Sequence, residues 1–157
     1  MTWPSFAFEG EAWRHCHPDY DPLSGDGARR HGGRFNPPGI PTLYLCTTIE
    51  CAQAEYSKQA IDRSLPVSNL YRFSVDLCLV LDLTREATRS VVGMTLDDLV
   101  SDGWSACQDV GKRAYDEGFQ AVLSWSSTGR DKMMAVFTER SEGSLEVIEI
   151  LPPTQIG

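Results

Sequence analysis

Three side chains between Gly32 and Glu55 have types and an order that would let them act together on one ligand. Arg34 offers a guanidinium, Tyr44 an aromatic ring and Glu55 a carboxylate, and each falls on a different predicted element. A planar guanidinium binds phosphate through two parallel hydrogen bonds, and a carboxylate accepts hydrogen bonds from sugar hydroxyls. The sequence therefore predicts a pocket for a phosphorylated ligand that contains a sugar.

Cleavage of the N-glycosidic bond of a nicotinamide nucleotide is one reaction that these groups could catalyse. Nicotinamide leaves as a neutral molecule, so the main task is to stabilise a ribose that resembles an oxocarbenium ion. Glu55 would stabilise that ribose electrostatically, and Tyr44 would stack on the nicotinamide ring. Arg34 would bind the pyrophosphate, and Arg14 could share the contacts with phosphate or ribose.

The residues around Arg34 predict a tightly bent and accessible backbone. Arg34 follows Gly32 and Gly33 and precedes a Pro-Pro-Gly turn at 37–39. Residues 17–33 are rich in Pro, Gly and Asp, a composition that predicts an irregular loop. We interpret Arg29 and Arg30 in this loop as solvated surface residues, whereas the fixed surroundings of Arg34 favour anion binding.

Periodicity predicts the elements that must position these side chains. Thr47 and Glu50 match a capping box, so a helix should begin there and carry Glu55 on the flank of its buried stripe. That stripe is predicted to contain Ile49, Ala52, Tyr56 and Ala60. The other predicted elements are strands at 11–16, 42–46, 70–75, 78–83, 119–125, 133–138 and 145–151, and helices near 84–91, from Thr95, and from Trp104 to Gly118. The pattern predicts a single α+β domain over residues 1–157, with a mixed, mainly antiparallel sheet and flanking helices.

Length, charge and cysteine usage limit the class of protein. The chain has 157 residues and a formal net charge of -8, which suits one domain and argues against nucleic acid as a direct ligand. No apolar run reaches the ~20 residues of a membrane span, and the N-terminus does not resemble a signal peptide. The 5 cysteines are scattered, so we expect a reducing cytoplasm. His15 and His17 flank Cys16 without a third ligand nearby, and we therefore expect no metal.

Longer motifs give the chain a resemblance to a known family, the RES-domain proteins, which are the toxins of bacterial RES–Xre toxin–antitoxin pairs. The resemblance is carried by Trp13-Arg14, LSGDGARRHGGRFNPPGIPTLYL (23–45), Ala54-Glu55, DGWSACQDVG (102–111) and GFQAVLSWSS (118–127). The family is named for an arginine, a glutamate and a serine, which the resemblance places at Arg14, Glu55 and Ser126. Members commonly have a proline before the serine, whereas this chain has Trp125. Ser124 and Ser127 are therefore alternatives for the same ligand contact.

The resemblance implies an ADP-ribosyltransferase-like fold in which Arg34, Tyr44 and Glu55 bind and cleave NAD as a substrate. It implies a toxin that transfers ADP-ribose to water, to inorganic phosphate or to a protein side chain, and the sequence leaves that choice open. It also implies a cognate Xre-type antitoxin with a helical DNA-binding domain that occludes the active site. The alternative is a non-catalytic nucleotide-binding or interaction module. A carboxylate beside anionic phosphates argues against that alternative, because binding alone does not require it.

Overall fold

Six strands and five helices account for most of the residues that the computed structural model describes, which are 2–58, 67–127 and 131–152. The predicted helix position Ala60 lies outside these residues. The strands are β1 (Phe6–Cys16), β2 (Thr42–Cys46), β3 (Asn69–Asp82), β4 (Ala121–Trp125), β5 (Lys132–Phe137) and β6 (Leu145–Leu151). The helices are α1 (Asp26–His31), α2 (Ile49–Lys58), α3 (Glu86–Val92), α4 (Leu96–Val100) and α5 (Ser105–Asp116), and a short 3-10 helix follows β5 at Thr138–Arg140.

The strands form one sheet that curves back on itself. Its order is β1-β2-β5-β4-β3-β6, and β3 also pairs with β1, so the first five strands return to their starting point. The β3–β4 pair is parallel, and the other pairs between these strands are antiparallel. The predicted α+β class with a mixed, mainly antiparallel sheet is therefore confirmed, and the sheet has a barrel-like curvature.

The predicted strands 119–125 and 133–138 differ from β4 and β5 by one or two residues at their ends, and two other strand predictions are wrong by more. The strand predicted to start at Glu11 begins at Phe6, because the residues before Glu11 already pair with β3, as Gly10 does with Val75. The strands predicted at 70–75 and 78–83 are one continuous strand, since Asp76 stays in register with Glu9 across the expected break. Strand length is decided here by neighbouring strands rather than by local sequence.

Two local predictions around the helices also need correction. The stretch 17–33 is not irregular throughout, because α1 forms within it and its first residue, Asp26, forms ion pairs with Arg29 and Arg30. The side chain that caps α2 is Thr48, whose hydroxyl accepts a hydrogen bond from the Cys51 N–H at 3.1 Å. The Thr47 hydroxyl instead donates to the Lys132 carbonyl. The predicted capping box of Thr47 and Glu50 is therefore wrong, and Thr48 caps the helix with a single hydrogen bond.

Alternating side chains divide the sheet into two faces with different roles. Leu43 and Leu45 of β2 are fully buried with Phe73 and Val136 in the core enclosed by the curved sheet. Tyr44 points to the opposite face, where it packs against the cluster under α3 to α5 that includes Phe137. Because successive side chains of a strand alternate between faces, this helix-side face of the neighbouring strands β2, β5 and β4 can line a site.

Helix α5 presses directly on the connection between α1 and β2, residues 32–41, which we call the Arg34 loop. A Cβ built on Gly111 of α5 would lie 1.7 Å from the Phe35 carbonyl oxygen. The added Cβ would meet the backbone of Phe35, and neither backbone can shift without a large energetic cost. We expect Gly111→Ala to lower the free energy of unfolding by about 3 kcal/mol, the upper part of the range for overpacking. Urea denaturation would measure this.

Gly27→Ala is the matched control for Gly111→Ala. Gly27 is also helical, in α1, but a Cβ there meets no atom within 4 Å. Its free energy of unfolding should stay within about 1 kcal/mol of the original value. If Gly111→Ala proved as stable as Gly27→Ala, the close approach of α5 to the Arg34 loop would be refuted.

Candidate active site

The helix-side face of the sheet forms the floor of a cleft with a volume of about 540 Å³. Tyr44 and Ala135 are paired across β2 and β5, and Ser124 and Met133 are paired across β4 and β5, so they lie side by side on this floor. The cleft brings together all three side chains of the predicted set. Its lining residues are Gly33, Arg34, Phe35, Tyr44, Glu55, Trp104, Ser124, Trp125, Ser127, Met133 and Ala135.

The Arg34 loop is held by hydrogen bonds that converge on Tyr44 and Asn36. The Tyr44 hydroxyl accepts a hydrogen bond from the Phe35 N–H at 2.9 Å and donates to Asn36 Oδ1 at 2.6 Å. Asn36 is fully buried, and its Nδ2 donates to the carbonyl oxygens of Ala28, Pro37 and Ile40. The loop therefore has a fixed shape, and Tyr44 is one of the groups that fixes it.

Gly33 and Gln108 complete this support. A Cβ on Gly33 would lie 2.6 Å from the Tyr44 hydroxyl oxygen, so only glycine allows the ring to reach under the loop. Gln108 of α5 donates from Nε2 to the Gly33 carbonyl at 2.9 Å and to the Asn36 carbonyl at 3.3 Å. The loop is thus tied both to the sheet and to α5.

Arg34 places an unused hydrogen-bond donor at this site. Its Nη1 atom is buried and has no hydrogen-bond partner among the residues that the structure describes. The guanidinium lies against the Cys107 side chain of α5, where burial raises the pKa of the thiol, and hydrogen bonding to Arg34 and the Arg34 charge oppose that rise. A buried donor without a partner is rare in folded proteins, and an anionic ligand in the cleft would supply the missing acceptor.

Tyr44 contributes a ring surface rather than an acid or a base. Burial is the main cause that raises the pKa of its phenol well above the usual value. The hydroxyl therefore stays protonated, and both of its hydrogen bonds are made to the Arg34 loop. The ring is one of the groups that line the cleft, which is consistent with the predicted stacking role.

Loss of the Tyr44 hydroxyl tests its role in holding the loop. We expect Tyr44→Phe to lower the free energy of unfolding by about 1–3 kcal/mol, because the Phe35 N–H and Asn36 Oδ1 lose their partner in a buried site. Tyr20→Phe, which removes a hydroxyl from a side chain that is 69% exposed, is the control and should be as stable as the parent. Thermal unfolding of both variants would measure the effect. Equal stability of Tyr44→Phe and the parent would contradict this account of the loop.

Glu55 faces the cleft from α2. Cys51 and Ala52, one turn earlier, are buried against Cys46 and Leu70, which fixes the orientation of the helix. Glu55 itself is only partly buried, as its predicted place on the flank of the stripe requires. No hydrogen bond or ion pair engages its carboxylate within residues 2–58, 67–127 and 131–152. The carboxylate is therefore available to a ligand on the floor of the cleft.

The sequence that forms this cleft matches the RES domain family model over residues 11–155. The chain belongs to the RES-domain family. The predicted resemblance is therefore confirmed.

Individual RES-domain relatives agree with the family match. The chain is 33% identical over 144 residues to NAD(+) phosphorylase MbcT of Mycobacterium bovis and of Mycobacterium tuberculosis, which covers 86% of this chain and 77% of the relative. Among solved structures, it resembles a chain of the M. tuberculosis MbcT–MbcA toxin–antitoxin complex with a TM-score of 0.83 and 31% identity. That match covers 97% of this chain and 89% of the other.

Two residues predicted for the RES-domain site lie apart from the cleft lining. The Arg14 guanidinium donates to the Pro22 carbonyl at 3.0 Å, and its burial lowers the pKa of the guanidinium. Ser126 is buried, and its N–H donates to the Asp131 carbonyl at 2.6 Å. The alternatives Ser124 and Ser127 do line the cleft. The ligand contacts predicted for Arg14 and Ser126 stay predictions.

The RES-domain cleft also contains residues that the sequence did not single out for a role. Trp104 at the start of α5 and Trp125 at the end of β4 line it, and Trp104 is 42% exposed. Asn36 and Gln108 support it from outside. The place of Asn36 inside the distinctive GGRFNPPG block was the sequence signal that could have singled it out. Nothing in the neighbouring sequence indicates that its hydrogen-bond partner is Tyr44.

The residues that the structure describes contain neither a cluster of metal-binding side chains nor a membrane-spanning helix. Within the described ranges, no three His, Cys, Asp or Glu side chains are grouped closely enough to hold a metal ion. His15 instead stacks on Tyr56, with ring centroids 4.1 Å apart, and its Nδ1 is 3.0 Å from the Ser68 hydroxyl. None of the helices in residues 2–58, 67–127 and 131–152 combines the length and apolar character needed to cross a bilayer.

Proposed function

We propose that this chain is a toxin that consumes NAD+ by cleaving the bond between nicotinamide and ribose. The observation that carries the proposal is the meeting of Arg34, Tyr44 and Glu55 in one cleft of about 540 Å³, with a buried Arg34 donor that lacks a partner among the described residues. Such a volume is in the range of small-molecule sites. The similarity to proteins named NAD(+) phosphorylase supports the same substrate.

Each of the three cleft residues has a separate role in the reaction. Arg34 binds the pyrophosphate and so fixes the dinucleotide in the cleft. The Tyr44 ring packs against the nicotinamide. As the bond from C1 of the ribose to the pyridinium nitrogen breaks, the bonding electrons move to that nitrogen and nicotinamide leaves as a neutral molecule. Glu55 stabilises the positive charge that develops on the ribose.

Inorganic phosphate is the acceptor that we propose for the ribosyl group. A phosphate oxygen attacks C1 of the ribose, so the products are nicotinamide and ADP-ribose carrying a phosphate on that carbon. The name of the MbcT relatives, NAD(+) phosphorylase, favours phosphate over water and over a protein side chain. Water would instead yield free ADP-ribose, and a protein acceptor would yield a modified protein.

We further propose that a cognate antitoxin controls this activity. The related structure is a toxin–antitoxin complex, and its toxin shares 31% identity with this chain. An Xre-type antitoxin that covers the cleft would block access of NAD+. The net charge of -8 makes direct DNA contact by this chain unfavourable, so any DNA binding by the complex would come from the antitoxin.

Nicotinamide release by the purified chain tests the proposal. The reaction is run in phosphate-free buffer, in phosphate buffer, and with cell lysate and labelled NAD+. We expect release that depends on phosphate and a product of the mass of phosphorylated ADP-ribose. Release without phosphate would indicate a glycohydrolase, and transfer of label to a protein band would indicate an ADP-ribosyltransferase. No release in any condition would leave a binding module.

A further inference from the structure

A second cavity of about 420 Å³ adjoins the active-site cleft at Trp125. It is lined by Thr84, Arg89, Leu96, Asp97, Val100 and Trp125. Trp125 lines both cavities and is therefore the residue that they share. Trp125 is held at the end of β4 by pairing with Lys132, whose ammonium lies 5.6 Å from the centre of the ring.

Apolar surface is present in this second cavity although it is open to solvent. Leu96 is 51% exposed, which is high for a large aliphatic side chain, and it lines the cavity together with Val100 and the indole of Trp125. Aromatic and aliphatic walls of this kind suit a flat, weakly polar ring system. A bound ligand would bury apolar surface that is exposed to solvent in the free protein.

Polar side chains also line this cavity, among them Arg89 and Asp97. Neighbouring Asp98 is occupied, because its carboxylate and the Thr95 hydroxyl form the capping box of α4. Asp97 does not take part in this capping box, and its carboxylate makes no hydrogen bond or ion pair within the part of the chain that the structure describes. Arg89 is oriented by donating from Nη1 to the Leu83 carbonyl at 3.0 Å. A carboxylate acceptor thus stands beside an apolar wall.

We propose that this second cavity binds the adenosine half of the dinucleotide, an inference that rests on NAD+ being the substrate. Adenine packs between the Trp125 indole and the aliphatic pair Leu96 and Val100. Asp97 accepts hydrogen bonds from the hydroxyls of the adenosine ribose, a task that carboxylates perform in other dinucleotide sites. The nicotinamide half occupies the cleft of Glu55 and Tyr44, so the two halves lie on the two sides of Trp125.

The test separates the two halves of the dinucleotide by using each alone. Dissociation constants of AMP and of nicotinamide mononucleotide are measured by calorimetry on the parent and on four variants. Leu96→Trp fills the cavity, and Asp97→Ala removes the acceptor. Val91→Trp and Asp102→Ala are controls, because Val91 and Asp102 are exposed on nearby segments but do not line the cavity.

The proposal predicts a selective loss of AMP affinity. Leu96→Trp and Asp97→Ala should each weaken AMP binding about tenfold. For Asp97→Ala, this is the effect of losing one hydrogen bond to a charged group. For Leu96→Trp, we expect a loss of similar size because the new side chain fills the cavity. The controls should leave AMP affinity unchanged, and all four variants should bind nicotinamide mononucleotide like the parent. The Michaelis constant for NAD+ should rise with the same two variants while kcat stays constant.

Other outcomes would overturn the adenosine site. AMP that fails to bind the parent, or binds both cavity variants as tightly as the parent, would refute it even if nicotinamide is released from NAD+. Equal weakening of AMP and nicotinamide mononucleotide would also refute it. Conversely, selective loss of AMP binding without any nicotinamide release by the parent would uphold the site and reject the proposed reaction.

Discussion

Glu55→Gln is expected to lower kcat for nicotinamide release by about 10²- to 10³-fold, the range for removing one preorganised group that stabilises a transition state. Glutamine has nearly the same shape and keeps α2 and the cleft intact, but it cannot offset a positive charge on the ribose. Since that charge develops only as the glycosidic bond breaks, the Michaelis constant for NAD+ should change much less than kcat. Steady-state kinetics with a nicotinamide readout would measure both.

Glu50→Gln is the matched control for this variant. Glu50 lies on the same helix, carries the same charge and is exposed, but it does not line the cleft. Its kinetics should equal those of the parent, so that a loss seen only with Glu55→Gln is specific to the cleft. Full activity in Glu55→Gln would reject the electrostatic role of this carboxylate and with it the proposed mechanism.

Local patterns were sufficient where an element or side chain is fixed by its own sequence neighbours. The strand at 42–46 and the strand at 145–151 have the predicted bounds, and a helix begins directly after Thr95, where one was predicted. The alternation within TLYLC is enough to place Tyr44 opposite Leu43 and Leu45. The position of Glu55 on the flank of α2 follows from helical period in the same way.

Contacts between distant segments set the limits of the sequence prediction. The strand β3 runs through Asp76 because Glu9, far away in the chain, pairs with it. The Arg34 loop keeps its shape because Gln108 and Gly111 of α5 pack on it. These contacts join residues separated by about 70 positions, and no local periodicity reports them.

The roles of individual arginines and serines also depend on contacts that the sequence pattern does not report. Composition alone could not tell that Asp26 forms ion pairs with Arg29 and Arg30, or that Arg14 is directed to the Pro22 carbonyl. Arg34 differs from all three in having a buried nitrogen without a partner among the described residues. Among the serines near Trp125, strand register brings Ser124 onto the cleft floor.

The unpartnered nitrogen of Arg34 makes its conservative replacement a sharp test of anion binding. Arg34→Lys keeps the charge but loses the planar fork, so we expect the dissociation constant for NAD+ to rise about 10- to 100-fold, equivalent to one or two hydrogen bonds to a charged group. Arg30→Lys is the control, because its guanidinium side chain is 63% exposed and pairs only with Asp26 among the described residues. Calorimetric titration of NAD+ into the Glu55→Gln background measures binding without turnover. Because lysine is a point charge on a flexible stem, unchanged affinity in Arg34→Lys would mean that charge alone holds the pyrophosphate, and the bidentate clamp would be rejected.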